Sequence, residues 1–94
     1  MLDLIKTALR IKTGAFDDEL NNLIMSSILD LKLSGALTFL SEEKIQTDNL
    51  VITAVITYCK YHFGDGYSAD KFKKSYDEQK AQMISASGYG LENG

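Results

Sequence analysis

Ninety-four residues, 45% apolar and 24% charged, set the size of one small domain and exclude both a two-core protein and a disordered polyelectrolyte. A single cysteine, Cys59, excludes an internal disulfide and an all-thiolate metal site, and the lack of proline favours uninterrupted helices. The net charge of −3 withholds the bulk attraction on which most nucleic-acid binding depends, and no apolar run approaches the ~20 residues that span a bilayer.

A first helix is expected over residues 3–12, with Asp3 as cap and Leu4, Ile5, Ala8, Leu9 and Ile11 in helical rather than alternating order. Thr13-Gly14 is its expected stop. The clearest helix spans 17–34. Asp17, Asp18 and Glu19 crowd its start, where carboxylates suit the positive helix end. Leu20, Leu23, Ile24, Ser27, Ile28 and Leu31 then fall in one sector roughly 140° wide. Met25, Leu29 and Leu33 form a second, narrower apolar stripe on the opposite side, and Ser34-Gly35 ends the helix.

Residues 36–40 read as a turn plugging one end of the core, and Ser41 to Lys44 as a capped single turn or short helix. The run from Leu50 to Tyr58 is rich in β-branched residues, which favours a strand. It continues to Phe63, too long for an ordinary strand. Its polar members Asn49, Thr53, Thr57 and Lys60 also fall on one narrow helical stripe. With Thr47-Asp48 as cap and Gly64 as stop, residues 48–63 are predicted to be the central buried helix, only the polar stripe reaching water.

Ser68 opens a last helix at 69–85, with Phe72, Tyr76, Gln79 and Met83 inward. The fold class is thus all-α, a small bundle of about four helices. Its core is predicted to be Leu20, Ile24, Ile28, Leu31, Val51, Val55, Tyr58, Phe72 and Tyr76. Residues 1–85 form a single helical domain, and residues 86–94 are expected to be a flexible tail.

Few residues suggest chemistry. Cys59 and His62 lie three apart on one side of a helix, but a thiol deep in an apolar run behaves as a small hydrophobe, not a nucleophile. Asp17-Asp18-Glu19 reads as a charged helix start rather than a cation site, since no calcium-loop spacing follows. Gly64-Asp65-Gly66 lacks the lysine and hydroxyl of a phosphate loop, and Gly88-Tyr89-Gly90 is too short for any motif. Lys71, Lys73 and Lys74 are neutralised by Asp70, Asp77 and Glu78. No catalytic, cofactor-binding or metal-ligating residue is expected. The stripe Met25, Leu29 and Leu33 is either covered by the first helix or forms a contact between subunits. Five tyrosines in a chain without tryptophan also suit interfaces. Tyr89 and Leu91, the sizeable apolar groups of the tail, complete the interface candidates.

Leu9-Arg10-Ile11, Ala15-Phe16-Asp17-Asp18-Glu19-Leu20, Leu23-Ile24 and Asp30-Leu31-Lys32 resemble the amino-terminal half of the small phage head–tail connector proteins. Asp48-Asn49-Leu50, the run from Ala54 to Lys60, Phe63-Gly64 and the run from Asp70 to Asp77 resemble the second half in order and spacing. The likeness spans residues 4–84. It implies a helical structural protein of tailed phages or prophages, without enzymatic activity or cofactor. It also implies a ring, dodecameric in the virion, that sits beneath the portal protein, extends the DNA channel and docks the next head-completion or tail protein. The expected locations are the host cytoplasm during assembly and the virion head–tail junction, with no membrane contact. An isolated subunit is expected to be monomeric, because each contact is small. An acidic lumen would let DNA pass without specific binding.

Two other classes compete. One is a small helical DNA-binding regulator with a helix–turn–helix near 17–46, whose short recognition segment 41–46 carries Glu42 and Glu43. The other is a cytosolic regulator that binds a protein partner.

Overall fold

A computed structural model describes residues 1–63 and 68–85. The described residues form five helices and no strand: α1 (Leu2–Leu9), α2 (Asp17–Leu33), α3 (Glu42–Thr47), α4 (Asn49–Phe63) and α5 (Ala69–Ser85). The all-α expectation holds, and Ser41 to Lys44 is the start of α3. The tail and the Gly64 stop lie outside the described residues.

Local hydrogen bonds close several of the helix termini. Ser41 Oγ accepts the backbone N–H of Lys44 at 3.1 Å, capping α3. Asp48 Oδ1 accepts the N–H groups of Leu50 and Val51 at 2.9 and 3.2 Å, capping α4. At the end of α2, Gly35 takes φ 87°. Its N–H bonds to Lys32 O and that of Ala36 to Leu31 O, a Schellman closure that buries Ala36 on Leu31.

The first helix departs from expectation at both ends. Asp3 lies inside it, and Met1 is the cap residue, with no side-chain capping bond. It stops at Leu9 because Arg10 adopts the left-handed conformation, φ 61° and ψ 38°. The N–H groups of Arg10 and Ile11 then close on Thr7 O and Lys6 O, the same closure as at Gly35. A left-handed L-residue costs roughly 1–2 kcal/mol, part of which glycine returns as unfolded-state entropy. Arg10→Gly is therefore expected to stabilise the subunit by about 0.5–1 kcal/mol in urea unfolding.

Helix α4 is the axis of the bundle and packs against all four other helices. Val51, Ala54, Val55 and Cys59 on α4 are fully buried, as are Ile5 on α1, Leu20 and Leu31 on α2, and Ile45 on α3. Ala36 and Leu37 close one end of this core, as the turn at 36–40 was expected to do. Phe16 and Phe63 meet edge to face at 5.1 Å, so the start of α2 lies at the end of α4.

Helix α5 is joined to α2 by a polar bridge. Tyr76 Oη donates to Asp30 Oδ2 at 2.7 Å, and Lys80 Nζ lies 3.0 Å from the same oxygen. Burial alone would raise the Asp30 carboxyl, but the hydrogen bonds from Tyr76 and Lys80 and the lysine charge outweigh it and hold the group below its ordinary range.

Several predicted core positions shift. Leu20, Ile24, Leu31, Val51, Val55 and Tyr76 are buried, but Ile28, Tyr58 and Phe72 are half-buried. Ile28 and Tyr58 pack on the core from its margin. Phe72 lies at a rim, with Lys60 Nζ 5.9 Å from its ring centre. The polar stripe of α4 is also not its only wet surface. Leu50 is exposed at the first turn, whereas Thr57 is buried and donates its hydroxyl to Thr53 O at 3.0 Å.

Candidate interaction surface

At 100° per residue, α2 turns Leu20, Ile24, Ser27 and Leu31 into the bundle and sends Met25, Leu29 and Leu33 the other way. Met25 is 68% exposed, Leu29 56% and Leu33 79%. The first helix does not cover them. It meets the opposite end of α2, where Lys6 Nζ lies 2.8 Å from Asp17 Oδ1. Within the subunit the stripe is bare, and the reading in which α1 shields it is corrected.

The stripe borders a shallow groove of about 270 Å³ lined by Met25, Ile28, Leu29, Lys32 and Gln46, between α2 and α3. Lys32 is fixed there by an ion pair to Glu42 Oε1 at 2.7 Å. An apolar ridge beside a polar-edged groove can bind by contact. It offers no converging acid, base or nucleophile for a reaction.

The other candidates fall away one by one. Cys59 is fully buried, and burial pushes its thiol up to about 11. The thiol therefore stays protonated at neutral pH and should react with a disulfide reagent only as the chain unfolds. Cys59→Ala should cost about 1–2 kcal/mol in urea unfolding. His62 is exposed, with its ring 4.3 and 4.4 Å from those of Tyr58 and Tyr61, so His62→Ala should leave assembly intact.

No group of three or more potential metal ligands occurs among the described residues. Lys73 pairs with Asp77 at 2.9 Å, as a solvated helix face does. Helix α3, the would-be recognition segment, shows Glu42 and Glu43 to solvent, the wrong sign for phosphates. No described helix is long and apolar enough to cross a membrane.

Among the tyrosines, Tyr76 is buried and its ring packs at a 60° tilt 5.1 Å from that of half-buried Tyr58, a contact within the subunit. Tyr67, Tyr89, Leu91 and the segments Gly64-Asp65-Gly66 and Gly88-Tyr89-Gly90 lie outside the described residues. Sequence reasoning did not single out four further exposed apolar side chains: Leu4, Phe16, Phe39 and Leu50. Phe39 carried a signal, an aromatic followed closely by Ser41-Glu42-Glu43, but a turn offers no periodicity from which to read exposure.

A family model described as phage connector protein matches residues 1–90 of the chain. Comparisons with curated proteins and with solved structures returned no match.

Proposed function

We propose, given that this chain belongs to the phage connector protein family, that it is the repeating subunit of a head–tail connector ring. The family is one of structural proteins of the phage particle. In our reading, copies join beneath the portal protein, extend the DNA channel and dock the next head-completion or tail protein. The observation that carries this reading is the bare stripe Met25, Leu29 and Leu33 on a helix whose other face is fully used by the core. A ring requires two different surfaces on each subunit, and a self-contained bundle with an unused apolar edge supplies one of them. Residues 1–85 are the body of the subunit, and Tyr89 and Leu91 bind the portal or an adjacent copy. The isolated subunit is a monomer that assembles when the portal aligns many small contacts.

Electron microscopy of purified connectors carrying a labelled copy of this chain is the direct test. Label in a ring between portal and tail is the expected result. A chain absent from particles, and recovered instead with host DNA or a regulatory partner, would favour the regulator reading.

A further inference from the structure

We propose a head-to-tail contact between copies of this chain, in which Phe39 of one copy enters a cavity on the next and Glu42 and Glu43 beside it face Arg10 and Lys60 at the cavity's rim. The contact rests on the self-association reading above and supplies the pair of unlike surfaces that a ring demands.

The cavity measures about 370 Å³ and lies where three helix ends converge. Leu9 comes from the end of α1, Phe63 from the end of α4, Ser68 from just before α5 and Phe72 from its first turn. Its apolar wall is edged by two cations, Arg10 and Lys60. Neither cation forms an ion pair with a described residue. Arg10 also holds its left-handed backbone where glycine would sit at lower cost, so the subunit's own stability does not account for the guanidinium. Two cations without a carboxylate partner among the described residues, one of them over the Phe72 ring, suit an apolar group flanked by carboxylates.

The same chain carries such a group. Phe39 is 53% exposed, yet its neighbours are fixed. Leu37 is buried, Leu40 packs on the core, and Leu40 N–H bonds to Leu37 O at 3.1 Å. The Thr38 hydroxyl donates to Gly35 O at 2.8 Å. An aromatic ring held out on a braced turn loses little freedom on docking. Glu42 and Glu43 follow in the first turn of α3, both exposed.

Knob and cavity lie at opposite ends of the subunit. Phe39 follows the end of α2, and the Lys32–Glu42 ion pair ties that end to α3, which leads directly into the start of α4. The cavity is at the other end of α4, some 20 Å away at about 1.5 Å per residue. One copy therefore cannot fill its own cavity, and each contact leaves a free knob and a free cavity for further copies.

Disulfide trapping tests this on the full chain in a Cys59→Ala background. Thr38→Cys places a thiol beside the knob and Ser68→Cys places one on the cavity wall. Mixed under mild oxidation, the two variants should give mainly the mixed dimer, and the double variant should give a ladder of higher oligomers. Adding Phe39→Ala should slow ladder formation about tenfold or more, the usual cost of losing an aromatic anchor. Lys60→Glu should slow it too, with partial recovery when combined with Glu43→Lys. Circular dichroism confirms that each variant is folded. Cross-linking no faster than a Thr38→Cys and Thr53→Cys pair, or unaffected by Phe39→Ala, overturns the contact. If the unmodified chain nonetheless assembles on the portal protein, the connector reading survives that loss. If it assembles under no condition, that reading fails as well.

Discussion

Val55→Asp is expected to abolish folding, leaving a chain without helical far-UV circular dichroism or a thermal transition. Val55 is fully exposed to the core and not at all to water, on the helix that every other helix packs against. Val51, Ala54 and Cys59 around it on α4 are equally dry. The substitution forfeits the valine's transfer energy, about 1.5–2 kcal/mol. It also buries a carboxylate among side chains that offer no cation, which costs several kcal/mol more. A domain of this size holds roughly 5–10 kcal/mol in total. Because an unfolded variant alone says little, Val55→Thr provides the graded comparison. It keeps the shape, adds one hydroxyl, and should lower stability by about 1–2 kcal/mol while the protein remains folded. Native-like stability in the aspartate variant would mean that residues 49–63 do not form the core helix.

How far the sequence reveals this molecule depends on whether a feature is local. The β-branched run of α4 could be read as a helix because Asn49, Thr53, Thr57 and Lys60 repeat at helical spacing, and that period outweighs residue propensity. The same pattern misled at Thr57. Its hydroxyl bonds to Thr53 O within the helix, so it can be buried without a partner elsewhere, and polarity ceased to report exposure. The end of α1 was misplaced for a related reason. Glycine is the usual left-handed residue, which drew attention to Gly14, whereas the chain turns at Arg10. Phe72 was assigned inward from its spacing, but whether an inward position is covered depends on how neighbouring helices end, and at Phe72 three of them end together. The stripe on α2 was legible because it is one helix's own periodicity. The cavity was not, since its walls come from residues more than fifty positions apart.

Met25→Lys combined with Leu29→Lys is expected to give a folded subunit that fails to enter connectors. Both side chains already face water, and lysine is a good helix former, so the circular dichroism spectrum and urea midpoint should barely move. Covered by a partner, the same positions become costly. Each lost apolar side chain removes about 1.5–3 kcal/mol of burial, before any penalty for enclosing an ammonium group beside Lys32. Half of the loss from the two positions would still weaken each contact about ten- to a hundredfold, since about 1.4 kcal/mol is a factor of ten. In the proposed ring the contact recurs at every subunit, so the deficit compounds instead of being diluted. Complementation with the variant should therefore yield filled heads without attached tails, while the soluble protein accumulates at its usual level. Normal particles would show that the stripe touches no neighbour in the assembled connector. The subunit would then have to associate through other surfaces, of which the Phe39 knob and the Arg10–Lys60 cavity are the complementary pair.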